Sequence, residues 1–285
     1  MSHKHSIEAD LLMILVTLIA AAGWIFSLKT MEVMPPLLFL GVRFLIAGIV
    51  VGSFGWKQFA TLSKTQLKFS FLIGGIMSLA MMCWMVGLYH ATHVGVGAFI
   101  TSLGMVIAPI LGMMMFKTKL STLNWVAAAI AAVGLGCLSL SRGISLSFSD
   151  TLFLASAFGF AIQFNLNSHY AKGMPVTCLT GIQLALTGLV SLICGSFTET
   201  YPAHFGHETL LWLLASILVA TSLRFFLQIK AQGMTPVKHA ALIMTLEPVW
   251  TSLLAAWWLH DKMNGTQVFG CVLIFVALLV GRLGR

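Results

Sequence analysis

The sequence predicts an all-α membrane protein of ten transmembrane helices, arranged as two inverted five-helix repeats. Three observations carry this expectation. First, 59% of the 285 residues are hydrophobic and only 8% are charged, with a mean hydropathy of +0.97. A water-soluble domain carries about 25% charged residues, so lipid must be the solvent for most of this surface. Second, lysine and arginine fall unevenly between alternate loops. Third, the second half of the chain resembles the first at a fixed offset.

A spanning helix needs about 20 largely apolar residues. The chain offers ten such segments: 11–28, 36–56, 69–89, 94–116, 122–140, 151–170, 176–196, 209–229, 238–259 and 265–282. The first begins LLMILVTLIAAAG and resembles a signal peptide. Its flank holds Glu8 and Asp10 against Lys4, a poor cationic leader, so it reads as a retained span. Punctuation separates the others: Pro35-Pro36, Lys64, His93, Lys117 to Lys119, Arg142-Gly143, Lys172 to Pro175, Tyr201-Pro202, Pro236, and Asp261 to Gly265.

With the N-terminus placed in the cytoplasm, the inner segments hold Lys4, Lys57, Lys64, Lys68, Lys117, Lys119, Lys172, Lys230, Lys238, Arg282 and Arg285. The outer segments hold Lys29, Arg142 and Lys262, and Arg43 and Arg224 lie inside spans. This is the positive-inside pattern of an even number of spans with both termini cytoplasmic. A multi-pass protein of a bacterial-type inner membrane is expected. The net charge of +8 is scattered among apolar segments without a basic stripe, which argues against nucleic acid as a partner. Cys83, Cys137, Cys178, Cys194 and Cys271 stand singly, so neither a disulfide frame nor a metal site is indicated, and no cofactor is expected.

An offset of 143 residues lays Thr92 on Thr235, Val94 on Val237, Ala98 on Ala241, Ile100 on Ile243, Leu103 on Leu246 and Val106 on Val249, and Lys119 on Lys262. This sets span four on span nine and divides the chain into 1–142 and 143–285. Five spans per half is odd, so the halves run oppositely across the membrane, a plan that places a substrate near midplane between them.

The stretch LQIKAQGMTPVKHAALIMTLEPVW from Leu227, AAGWIFSLKTMEVMPPLLFLGVRFLIAG from Ala21 with its Arg43, and Asp150 at the start of the second half resemble the EamA-type drug/metabolite transporter superfamily. The resemblance spans nearly the whole chain. It implies ten helices in two inverted halves and a secondary carrier of small metabolites, usually an exporter. Two positions depart from the family pattern. The first half has Gly104-Met105 where the second has Glu247-Pro248, and Gly23-Trp24 replaces a Trp-Gly pair.

Polar groups in hydrocarbon are costly unless paired or hydrated, so each is a candidate site residue. Glu247 precedes a proline that removes a backbone donor and loosens the helix. Arg224, Gln228 and Gln232 share one face of span eight. Arg224 is the natural partner for Glu247 or for a substrate carboxylate, and Arg43 is its counterpart in the first half. Span six holds AIQFNLNSHY, with Gln163 and Asn167 on one face and Asn165 and His169 on the next. That density favours a water-filled cavity over simple amide glue between helices. Trp24, Tyr89 and His90 are expected near the same cavity, although His90 and His93 fit the interface better. The substrate-binding set is therefore Trp24, Arg43, Tyr89, Gln163, Asn167, Arg224, Gln228 and Glu247.

The sixteen methionines supply adaptable packing or pocket walls. Gly95/Gly97 and Gly134/Gly136 suit close helix crossings. Spans five and ten are almost free of polar groups and fit buttresses or a homodimer face. No GxxxxGK[ST] occurs, so direct ATP coupling is not expected, and proton coupling is open. The rival readings are a membrane-embedded hydrolase or acyltransferase, for which HExxH and GxSxG motifs are absent, and a channel, which calls for rings of like residues.

Overall fold

Pro35 and Pro36 show how this chain punctuates itself: proline tolerates the start of a helix but not its interior. They separate the first two helices of a computed structural model that describes residues 3–91, 94–139, 147–201, 204–258 and 264–283. The helices of eight residues or more are α1 (His3–Met31), α2 (Pro36–Phe54), α3 (Lys64–Tyr89), α4 (Val94–Phe116), α5 (Thr122–Ser139), α6 (Phe148–Tyr170), α7 (Val176–Thr198), α8 (His207–Met234), α9 (Val237–Met244), α10 (Glu247–Trp258) and α11 (Gly265–Leu283). No strand occurs among the described residues. The expected boundary at 142/143, and the residues His93, Arg142, Asp261, Lys262 and Arg285, lie outside them.

Side chains satisfy the helix starts. Ser63 and Gln66 form a capping box at α3, and Ser147 and Asp150 do the same at α6. At α2 the carboxylate of Glu199 accepts from the backbone N–H groups of Leu37 and Leu38 at 2.7 and 2.8 Å. This neutralises the helix's positive end and ties α2 to the end of α7.

Among the described residues, six helices are long and apolar enough to span a membrane: Ile7–Met31, Pro36–Phe54, Lys64–Tyr89, Phe99–Phe116, Val176–Thr198 and His207–Met234. Shorter apolar stretches run over Thr122–Cys137 and Gly265–Gly281. The remaining two expected spans depart for separate reasons. The second half of α6 carries Gln163, Asn165, Asn167, Ser168 and His169, which lower its apolarity. The ninth is broken into α9 and α10. At the break, Thr245 and Leu246 donate to Leu242 and Ile243, three residues back, at 3.2 and 3.0 Å. Pro248 then falls in the first turn of α10, where a missing N–H leaves no helical bond unmade. Glu247 is thus the first residue of a helix rather than a mid-helix acid.

The interior joins an apolar core, with Phe39, Phe44, Phe153 and Phe164 buried, to an unusual number of buried polar groups. Gln163, Asn165, Asn167, Gln183, Gln228 and Gln232 are buried, while Leu79, Phe197, Val272 and Leu279 are exposed. α2 crosses α7 in close approach, with glycines letting the two backbones near each other. A Cβ on Gly48 would strike the backbone of Ala185, and one on Gly188 would strike that of Leu45. At the α5–α11 contact, Gly134 lies against Gly270 and Ile274 in the same manner, as its sequence context suggested.

Packing is reciprocal when the helices of one half are exchanged for those of the other. α2 packs on α7 and α5 on α11; α3 packs on α6 as α1 does on α8; α4 packs on α6 as α1 does on α9 and α10. α3 on α7 is likewise matched by α2 on α8. These contacts leave a chamber among α1, α2, α3, α4, α6, α8 and the α9–α10 break.

Candidate functional site

That chamber is a cavity of about 130 Å³, roomy enough for several waters or part of a small solute. α1 contributes Gly23, Trp24 and Ser27; α2 contributes Arg43 and Phe44; α3 contributes Met77, Met81, Trp84 and Met85. Thr101, Ser102 and Met105 come from α4, Phe160, Gln163 and Phe164 from α6, and Arg224, Phe225 and Gln228 from α8. Met244 and Glu247 flank the broken helix.

Glu247 is the polar centre. Its Oε1 accepts from Trp24 Nε1 at 3.2 Å, and its Oε2 accepts from Arg224 Nη2 at 3.5 Å. The side chains of Arg224 and Glu247 remain 15% and 23% exposed, so the pair faces the chamber rather than dry packing. The indole of Trp24 meets Trp84 edge to face at 4.8 Å. At the first turn of α10 the carboxylate also meets the favourable end of the helix dipole.

Arg43 is held differently. Its guanidinium donates to Thr221 Oγ1, to Ser27 Oγ at 2.8 Å and to the Ala220 carbonyl at 3.2 Å. It also lies 5.5 and 5.6 Å from the rings of Phe39 and Phe44. It is 7% exposed and has turned inward rather than snorkelling to a surface. The α8 side of this cradle is a π-helical segment, Leu218–Leu223. There Thr221 and Ser222 donate to carbonyls five residues back. Such a bulge presents Ala220 O and Thr221 Oγ1 to Arg43 one turn before Arg224.

Six of the eight expected site residues therefore line one chamber: Trp24, Arg43, Gln163, Arg224, Gln228 and Glu247. Two do not. Tyr89 is 64% exposed at the end of α3 and meets His90 edge to face. Asn167 is fully buried away from the chamber, where it exchanges hydrogen bonds with Gln183 at 2.8 and 3.4 Å. Gln163 donates to the same Gln183 at 3.1 Å. Asn165 donates to the carbonyls of Ala108 and Ala161, and His169 stacks on Phe116 at 4.2 Å. The polar cluster of span six is thus mainly amide glue from α6 to α4 and α7, and Gln163 is its member at the chamber.

Sequence reasoning missed Ser27, Trp84, Thr101, Ser102, Gln183 and Thr221. Ser27 was legible from its place one turn after Gly23 and Trp24. The others depend on which face of an all-round apolar helix turns inward, and periodicity cannot decide that when lipid and core are equally apolar.

The sequence profile of the EamA-like transporter family matches residues 7–140 and again 147–281. An uncharacterized transporter of Archaeoglobus fulgidus is 30% identical over 274 residues, covering 95% of this chain and 85% of that protein. The uncharacterized transporter YojE of Bacillus subtilis is 24% identical over 233 residues, covering 79% and 74%. A solved crystal structure of a protein shares 18% identity with a TM-score of 0.81 over 96% of both chains, a likeness of fold.

Proposed function

The chain belongs to the EamA-like transporter family, within the drug/metabolite transporter superfamily, and from that premise we propose a secondary-active exporter of small metabolites working by alternating access. In this reading ten spans form two inverted repeats, 1–142 and 143–285, with both termini cytoplasmic in a bacterial-type inner membrane. The ninth span is the interrupted α9–α10. The reciprocal packing of the two sets of helices supports the repeat, as does the double match of the family profile. The chemistry is transport rather than catalysis.

One observation carries the site: Trp24, Arg224 and Glu247 converge at the break in a helix, on the wall of a chamber between the halves. Broken helices at midplane are where secondary carriers bind cargo. Two arginines and one glutamate leave the wall net positive, while Trp24, Trp84, Met77, Met81 and Met105 supply apolar, adaptable surface. This suits a solute with an anionic group and an apolar body, such as an amino acid or a drug-like acid. Arg43, Gln163, Arg224, Gln228 and Glu247 contact the cargo, or a coupled proton at Glu247. The α5–α11 pair buttresses the bundle and offers a homodimer face.

Growth of an overexpressing strain across a panel of toxic amino acids, metabolite analogues and drugs identifies the cargo, and counterflow in proteoliposomes then measures it. The expected result is increased tolerance to at least one anionic or zwitterionic compound, with saturable counterflow. Counterflow confined to permanently cationic compounds contradicts the charge argument.

A further inference from the structure

On α1, α3 and α4 the chamber-lining residues are displaced toward one end of the bundle. α1 contributes residues 20–27 from its C-terminal part, α3 residues 77–85 from its C-terminal part, and α4 residues 101–105 from its N-terminal part. Toward the N-terminus of α1 the helices close. Glu8 pairs with Lys230 at 3.6 Å, and Asp10 Oδ1 lies 2.8 Å from His239 Nε2. Lys238 donates to Asn124 at 3.1 Å. These contacts gather α1, the end of α8, and the starts of α9 and α5. His239 is only 5% exposed and Asp10 only 15%, so the inner pair is screened from water far more than Glu8 and Lys230, at 49% and 44%.

Between chamber and closure runs a polar stripe on α8. Arg224, Gln228 and Gln232 recur every fourth residue and so share a face, reaching about 12 Å along the axis at 1.5 Å per residue. Gln228 is 4% exposed and Gln232 fully buried. Arg224 Nε, Gln228 Oε1 and both amide atoms of Gln232 have no hydrogen-bond partner among the described residues. Of the buried amides on α6 and α7, Gln163, Asn167 and Gln183 bond one another, and Asn165 bonds two carbonyls through Nδ2 and leaves only its Oδ1 without a partner among the described residues. A helix face that served only for packing would place apolar side chains here, because a buried polar atom without a partner keeps its full desolvation cost. A face that is wetted in a second state recovers that cost there.

We infer that the α8 face leading from Gln228, at the chamber wall, to Gln232 is the occluded half of the cargo's route, and that the Asp10–His239 pair is the latch sealing it. α1 runs antiparallel to α8, with Gly23 beside Ala220 and Glu8 beside Lys230. Parting Asp10 from His239 lets the start of α1 swing from α9, bares Gln232 to water and so opens the chamber past Gln228. The inference rests on the transport reading above and adds the route and its gate.

The test is cysteine accessibility in purified protein, with Cys83, Cys137, Cys178, Cys194 and Cys271 replaced by alanine and a charged, water-soluble maleimide as probe. Gln232→Cys is expected to react slowly with Asp10 and His239 intact. It should react at least roughly tenfold faster with Asp10→Asn and His239→Gln together, the scale of one lost charge-assisted hydrogen bond. Ile229→Cys, buried on the same helix, should stay unreactive in both. If the double variant does not purify as a single species, the near-isosteric Asp10→Asn variant carries the same comparison. Equal reactivity of Gln232→Cys with and without the latch, or a matching rise at Ile229→Cys, overturns the route. Counterflow of the unsubstituted protein reports on transport separately. A failed labelling result beside intact counterflow removes the latch alone, and absent counterflow removes the transport reading on which it stands.

Discussion

Trp24 and Glu247, 223 residues apart in the chain, meet across the chamber, with the indole Nε1 donating to the carboxylate at 3.2 Å. The bond joins the first helix of one half to the broken helix of the other. It gives Glu247 a donor from the other half of the chain beside Arg224 of its own half.

Trp24→Phe keeps the ring against Trp84 and deletes only the donor. Transport should fall by about 2- to 10-fold, the worth of one neutral-to-charged hydrogen bond discounted for partial exposure. Counterflow with the identified substrate measures it. No change would show that the indole N–H is incidental.

Arg43→Lys tests the cradle rather than the charge. A single ammonium cannot span Thr221, Ser27 and the Ala220 carbonyl as the planar guanidinium does. The loss expected is about 1–3 kcal/mol, read as a lower thermal midpoint in detergent. An unchanged midpoint would mean that these contacts add little to the fold.

Two glycine substitutions should have opposite signs. Gly48→Ala forces a Cβ into the backbone of Ala185 at the α2–α7 crossing and should cost about 1–3 kcal/mol. A methyl added at Gly75, on α3, would meet nothing within 4 Å. Gly75→Ala should therefore stabilise by about 0.5–1 kcal/mol through helix propensity. Thermal unfolding of the two variants side by side decides it.

Tyr89→Ala and Asn167→Ala separate surface and glue from the chamber. Tyr89 is exposed, so its loss should leave flux unchanged. Asn167→Ala leaves Gln183 Nε2 without its acceptor and should lower stability by about 1–3 kcal/mol, while the preference among substrates stays as it was. A shifted substrate preference in the Asn167 variant would put that amide in the binding site.

Much of this was legible in the residues. The membrane class followed from charge content alone, and six of the eight proposed site residues share the chamber because an arginine, amide or acid in hydrocarbon has few other stable places. Tyr89 escaped because it lies at the exposed end of α3, and Asn167 because sequence cannot tell a polar side chain facing a cavity from one that finds a partner on the next helix. Gln183, which claims Asn167, lies in α7 without a local pattern to link the two. The break before Glu247 was visible in Pro248, but its form was not. Proline was expected to loosen a continuous helix, whereas the chain stops at Thr245–Leu246 and restarts with the acid at its first turn. The Asp10–His239 pair spans 229 residues, and nothing local to either residue announces the other.

The most direct test of the central claim is counterflow by Glu247→Gln and Arg224→Ala in proteoliposomes, each variant first checked for a single species in detergent. Each should lower flux by roughly 10-fold or more, the scale of a lost charge-assisted hydrogen bond at the binding site. Wild-type flux in both variants would contradict the assignment of the chamber as the place where cargo binds.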